Sequence, residues 1–274
     1  MKIESGQVAV VTGAASGIGL AICEALAVRG VRLVVADLAQ DRLREAVERL
    51  GTTAGVIACQ CDVANVKEVE ALRQTALDAF GQIDLVFNNA GVVLAFKPMW
   101  EHAAEDWDWL MGINLGGVIN GIRTFVPDLV RQNSGHIINT ASMAGVTILP
   151  FNGVYNASKH AVVSLTETLA AELAQRAPGV HATVVCPGIV PTRIKPRGTP
   201  DPALSRENVA SGAQNYAISA EQAAGEILAG IETDQVYVFT NQGARERIEA
   251  RFSEIRDALA TDRASGARPI ASGA

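Results

Sequence analysis

A phenol and a primary amine stand four residues apart in Tyr155-Asn156-Ala157-Ser158-Lys159, with the hydroxyl of Ser142 upstream of them. Residues at that spacing share one face of a helix, so the Lys159 ammonium can lie beside the Tyr155 ring. A free phenol ionises near pH ~10 and is a poor proton carrier at neutral pH, whereas a neighbouring cation favours phenolate and moves it toward working range. Ser142 can then hold a substrate oxygen in place. The chemistry expected of the three is proton exchange with an alcohol or carbonyl oxygen. Tyr and Lys meet at this spacing by chance in many helices, so the rest of the chain must decide.

The amino-terminal part offers a place for an electron carrier. Thr12-Gly13-Ala14-Ala15-Ser16-Gly17-Ile18-Gly19 follows a strand-like run and enters a helix near Gly17. Glycines there let the chain turn sharply and bring backbone N–H groups close to a pyrophosphate at the positive helix end. The spacing differs from G-x-G-x-x-G and also suits a plain strand-to-helix connection. Asp37, just past the second strand, can accept hydrogen bonds from both hydroxyls of an adenosine ribose and would repel a 2′-phosphate, which points to NAD over NADP. Its alternative role is a cap on the helix starting near Asp41. Asn88-Asn89-Ala90-Gly91 and Asp62-Val63 follow the fourth and third strands, at the sheet edge where ligands bind, although Asn and Gly are also ordinary turn residues.

These groups meet only if a parallel sheet positions them. Seven β-branched runs are the candidate strands: Val8–Val11, Arg32–Ala36, Gly55–Ala58, Ile83–Phe87, His136–Asn139, Ala182–Val185 and Val236–Phe239. Helix-period segments lie between them, as in Val66, Val69, Leu72, Ala76, Leu77 and Phe80, which predicts parallel strands joined by helical crossovers. Glu105 to Gln132 and Ala157 to Ala174 read as two substantial helices whose outer faces could form an oligomer interface. Pro187, Pro191, Pro196, Pro200 and Pro202 predict a loop continuing into a lid over about 189–218. One domain is expected over 1–260, with a frayed tail over 261–274.

Lys and Arg number 23 against 29 Asp and Glu, a formal charge of −6 that has the wrong sign for a nucleic-acid binder. No apolar run is long enough for a membrane span and the first residues lack a signal-peptide core, so a cytoplasmic protein is expected. Cys23, Cys59, Cys61 and Cys186 are scattered, and His102, His136, His160 and His181 show no paired spacing, so no metal site is expected.

In this order and spacing, the motifs resemble the short-chain dehydrogenase/reductase family across essentially the whole chain, from about Gly6 to Leu259. The resemblance implies an α/β Rossmann fold, a doubly wound seven-stranded parallel sheet. It implies that Gly13, Gly17 and Gly19, with Ser16 and Ile18, cradle the NAD pyrophosphate, and that Asp37 and Leu38 meet the adenosine ribose. Asp62 and Val63 would flank adenine, and Asn89, Ala90 and Gly91 would line the cleft. Tyr155 matches the acid/base and Ser142 the oxygen orienter. Lys159 would bind the nicotinamide ribose, and Asn114 would anchor a proton-relay water. Ile189 and Thr192 would touch the carboxamide.

The expected reaction interconverts a secondary alcohol and its ketone, with a homodimer or homotetramer as the working form. Val93, Leu94, Met143, Ala144, Leu149, Phe151 and Ile189, with Asn152, would surround a bulky apolar or aromatic substrate, although core packing explains the same residues. Trp107 to Val126, with Phe239, is similar to bacterial members that oxidise bulky benzylic alcohols. Arg193, Lys195 and Arg197 could attract an anion or simply be solvated. The alternatives are a 3-oxoacyl thioester reductase of the same fold, which Asp37 disfavours, and a dinucleotide-sensing protein without catalysis.

Overall fold

Runs of Val, Leu and Ile with no polar face form strands that must be covered on both sides. A computed structural model describes residues 1–51, 55–199 and 217–264. Its strands are β1 Val8–Thr12, β2 Arg32–Asp37, β3 Val56–Gln60, β4 Leu85–Asn88, β5 Gly135–Thr140, β6 Val180–Cys186 and β7 Tyr237–Phe239. They form one parallel sheet in the order β3-β2-β1-β4-β5-β6-β7. The helices are α1 Gly17–Val28, α2 Gln40–Leu50, α3 Val66–Phe80, α4 Ala104–Met111, α5 Gly117–Gln132, α6 Gly153–Arg176, α7 Ala220–Glu232 and α8 Ala244–Ala264.

Successive strand residues face opposite sides, and each side has its own helices. Ala9, Val11, Leu33, Val35, Leu85 and Phe87 pack with Ile22 and Leu26 of α1 and Ile227 and Leu228 of α7. Val10, Val34, Val86 and Ile137 pack with Leu72 of α3, Phe125 and Leu129 of α5, and Leu169 and Leu173 of α6. This is the doubly wound Rossmann arrangement. Strand order reverses between β1 and β4, so the loops leaving their carboxyl ends diverge and open a crevice. No helix among the described residues is long and apolar enough to cross a membrane.

Three segments differ from expectation. The stretch from Glu105 to Gln132 is interrupted by a π turn over Gly112–Gly116 that separates α4 from α5. Glycines at 112, 116 and 117 weaken regular helix there, and a Cβ at Gly117 would stand 2.7 Å from Val63 Cγ2. At the carboxyl end, α8 continues to Ala264, past Leu259, so residues 261–264 are helical rather than frayed. Its Ala, Arg and Glu residues are strong helix formers, and Arg245 and Glu249 pair one turn apart at 3.9 Å. Arg251 also anchors α8 to α6, its Nη1 lying 2.6 Å from His160 Nε2. Residues 265–274 of the expected tail, and 200–216 of the expected lid, lie outside the described residues.

His136, at the foot of β5, is buried. Its Nε2 lies 2.7 Å from Thr183 Oγ1, whose hydrogen is donated to Gln235 O at 2.7 Å. The hydroxyl oxygen must therefore accept from Nε2–H, which leaves Nδ1 as a bare buried acceptor, with no partner among the described residues. Burial, reinforced by the neighbouring His181, pushes His136 down to about 3. An unfolded chain binds this proton near pH ~6.5 and the folded chain does not, so stability is fully present above that value. As the pH falls toward about 3 it is lost, at up to roughly 1.4 kcal/mol per pH unit from this group. In His136→Gln, chemical denaturation across this interval is expected to show a shallower decline of stability with falling pH than the parent. An unchanged slope would contradict the assignment.

Candidate active site

At the end of β1 the chain must turn from a buried strand into α1 within a few residues, and glycine makes that possible. Gly13 and Gly17 have φ of +64° and +56°, a region that favours glycine. A Cβ on Gly19 would come within 2.3 Å of Gly13 O, so α1 seats directly on the loop. Ser16 is the helix N-cap but its side chain makes no capping bond, and no acidic residue occupies the first turn. The α1 N-terminus therefore offers backbone N–H groups and positive potential to an anion.

Asp37 closes this loop from the end of β2. Its carboxylate accepts from Ala15 N–H at 3.3 Å and from Ala39 N–H at 3.0 Å. Ala39, not Asp37, is the N-cap of α2, so the capping alternative is not what the fold uses. Thr12, the last residue of β1, clasps the crevice from below. Its Oγ1 donates to Phe87 O at 3.2 Å and accepts from the N–H groups of Asn89 and Ala90 at 3.0 and 3.1 Å. Asn89 Nδ2 returns a bond to Thr12 O at 3.0 Å. After β3, Asp62 accepts from Ala64 N–H at 2.9 Å, and Val63 O accepts from Asn120 Nδ2 at 2.9 Å.

Tyr155 and Lys159 occupy the first turns of α6, which begins at Gly153 rather than near Ala157. Lys159 is 3% exposed. Its Nζ donates to Thr140 O at 2.8 Å and stands 5.7 Å from the Tyr155 ring centroid. Burial pushes this amine down to about 8. Cys186 beside it is pushed up to about 12 by its own burial, so at neutral pH it is an uncharged thiol and no counter-ion. Ser142 follows β5, and its Oγ accepts from Ala144 N–H at 3.1 Å. That leaves the hydroxyl hydrogen for another acceptor.

Asn114 lies in the π turn and is buried. Its Oδ1 accepts from Val92 N–H at 2.8 Å, and its Nδ2 donates to Val92 O at 2.9 Å and toward Ser158 Oγ at 3.4 Å. Ser158 donates to Tyr155 O at 2.8 Å. One amide thus links the segment after β4 to the turn of α6 that carries Tyr155. Beyond β6, Gly188 N–H donates to Asn241 Oδ1 at 2.7 Å, and Asn241 Nδ2 donates to Ile189 O at 3.1 Å. The loop then folds over the glycine turn, where a Cβ at Gly17 would meet Thr192 Cγ2 at 2.8 Å.

Together these segments enclose a cavity of about 950 Å³. Gly13, Ser16, Gly17, Ile18, Asp37, Leu38, Asp62, Val63, Asn89, Ala90, Gly91, Ser142, Tyr155, Lys159 and Thr192 all line it. Gly19, Asn114 and Ile189 are not among the residues lining it, and Val190 lines the cavity where Ile189 was expected. Of the expected substrate wall only Val93 lines the cavity, joined by Val92, Trp109, Ile113 and Ile194. Leu94, Met143 and Ala144 are core residues. Phe151 turns outward with φ of +61°. Thr12, Thr140 and Asn241 are supporting residues not anticipated; for Thr12 and Asn241 the available signal was a polar side chain where an apolar strand ends, whereas Thr140 holds Lys159 through its backbone carbonyl, which no side-chain type encodes.

A family model described as short chain dehydrogenase matches residues 7–203. A 1-deoxy-11-beta-hydroxypentalenate dehydrogenase of Streptomyces exfoliatus is 37% identical over 250 residues, 90% of this chain and 87% of that protein. A short chain dehydrogenase/reductase of Burkholderia phymatum, solved with NAD, superposes with a TM-score of 0.85 at 38% identity, covering 93% of this chain and 96% of the other. An alcohol dehydrogenase of Thermococcus sibiricus, solved with 5-hydroxy-NADP, gives 0.73 at 28% identity, over 87% and 97% of the two chains. With that match over most of its length and those relatives, the chain belongs to the short-chain dehydrogenase/reductase family of oxidoreductases.

Proposed function

We propose that this protein is a NAD-dependent dehydrogenase that interconverts a bulky, largely apolar or aromatic secondary alcohol and its ketone. One observation carries the reading: the Lys159 ammonium, fixed by Thr140 O, stands beside the Tyr155 ring on the cavity wall that also bears Ser142.

The glycine turn, with its two left-handed glycines and uncapped helix end, fits a dinucleotide diphosphate, and Asp37 would take the adenosine ribose hydroxyls. NAD, when bound, supplies the hydride acceptor. Ser142 donates its hydroxyl hydrogen to the substrate oxygen and fixes its direction. Tyr155 takes the alcohol proton onto its phenolate oxygen and returns it in the reverse reaction. Lys159 favours the phenolate through its charge. Asn114 acts through Val92 and Ser158 to hold the turn of α6 in place, a positioning role.

The choice of NAD rests on Asp37, since the carboxylate would oppose a 2′-phosphate. Arg42 and Arg193 line the same cavity and offer cations to such a phosphate. Cofactor preference is therefore the deciding observation, and NADP is the second reading. The hydroxylated compound in the Streptomyces relative's name and the NAD in the Burkholderia structure support the alcohol and NAD readings.

A panel of aliphatic, cyclic and aryl secondary alcohols, read as NADH absorbance, is expected to show turnover with NAD that favours the bulkier members. Tyr155→Phe should lower that turnover roughly 10²–10⁴-fold with dinucleotide binding retained; undiminished turnover would overturn the mechanism. Asp37→Ser is expected to raise kcat/KM with NADP relative to NAD, and a parent enzyme that already prefers NADP strongly would refute the cofactor assignment.

A further inference from the structure

Arg197 reaches the cavity from the loop after β6, and its backbone is fixed there. It pairs with the segment beyond β4 as a parallel bridge opposite Leu94. Arg197 N–H donates to Val93 O at 3.0 Å, and Ala95 N–H donates to Arg197 O at 2.9 Å. The guanidinium lies over the Trp109 ring, 4.8 Å from its centroid, with Nε 3.6 Å from Asp106 Oδ1. Asp106 and Trp109 are three apart in α4, so one helix face presents both. Trp109 packs on the same apolar cluster as Tyr155, formed by Leu94, Leu110 and Val154. Arg197 therefore shares a wall with the proposed acid/base. Arg193 lines the same cavity but pairs with Glu45 of α2 at 4.0 Å.

A guanidinium stacked on a ring has its face covered and its edge open. The Asp106 contact is too long for a hydrogen bond and lies on the Nε side. The two terminal nitrogens make no hydrogen bond among the described residues, and their parallel N–H groups match the two oxygens of a carboxylate. Val92, Val93 and Ile113 supply apolar surface to the same cavity.

We propose that Arg197, laid on Trp109, binds a carboxylate of the substrate, which makes the substrate an apolar hydroxy acid and the product its keto acid. The substrate half of this inference rests on the reading of Tyr155 as the acid/base for an alcohol. Carboxylate recognition by itself does not.

Calorimetry on the NAD-loaded protein with adamantane-1-carboxylate and its methyl ester separates the two, because neither probe has an oxidisable hydroxyl. The acid is expected to bind about tenfold or more tighter than the ester. Arg197→Met should abolish that preference and Arg197→Lys should keep part of it, with NAD affinity unchanged in both. The bridge to Leu94 is made by backbone atoms and survives either substitution. Equal affinity for acid and ester, undetectable binding of the acid, or an effect of Arg197→Met on NAD affinity alone would overturn the proposal. Turnover of 4-hydroxyadamantane-1-carboxylate and its methyl ester, followed as NADH, reports separately on alcohol oxidation. Acid preference in binding without turnover removes only the dehydrogenase reading, whereas equal kcat/KM for acid and ester removes only the role of Arg197.

Discussion

A buried ammonium without a carboxylate partner is costly, and the site is organised around one. Lys159 makes a hydrogen bond to Thr140 O, and among the described residues it forms no ion pair with a carboxylate. Desolvation brings its proton affinity down to about 8, so at neutral pH the cation persists but is poorly compensated. Any anion formed beside it is favoured, and the Tyr155 ring is the adjacent ionisable partner. Cys186 could have competed as a counter-ion, but its own burial keeps it a neutral thiol.

That charge must be held in place by a scaffold that brings no carboxylate to it, and the sheet edge does this. Apolar strands end on residues whose hydrogen bonds reach the neighbouring loops and α6. Thr12 ties β1 to the loop after β4, Thr140 holds Lys159 at the end of β5, and Asn241 after β7 pins the loop after β6. Asn114, in the π turn, performs the same task from the helix side. A local widening of a helix is a common way to place one side chain that regular geometry would turn aside.

Much of this was legible beforehand. Strand positions follow from runs of β-branched residues, and parallel pairing follows from the helical segments between them, because burial on both faces leaves little freedom. The Tyr155–Lys159 pair is a local fact of helix geometry. The glycine turn and Asp37 sit at strand ends, so their meeting follows from topology. What could not be read depends on tertiary packing. Leu94, Met143 and Ala144 are apolar and near the site in sequence, yet whether such a residue faces a cavity or the core is set by loop backbone, which periodicity does not encode. The choice of Val190 over Ile189 has the same origin. The break at Gly112–Gly116 was hidden because the flanking apolar pattern continues through it. The extension of α8 was missed because it rests on propensity and exposed ion pairs rather than an apolar stripe.

The pH dependence of kcat for alcohol oxidation, compared between the parent and Lys159→Met, tests the central claim most directly. The account predicts that removing the cation displaces the rise of activity to higher pH, toward the ~10 of a free phenol, and lowers the rate at neutral pH. Superimposable profiles would show that Lys159 does not govern the proton transfer.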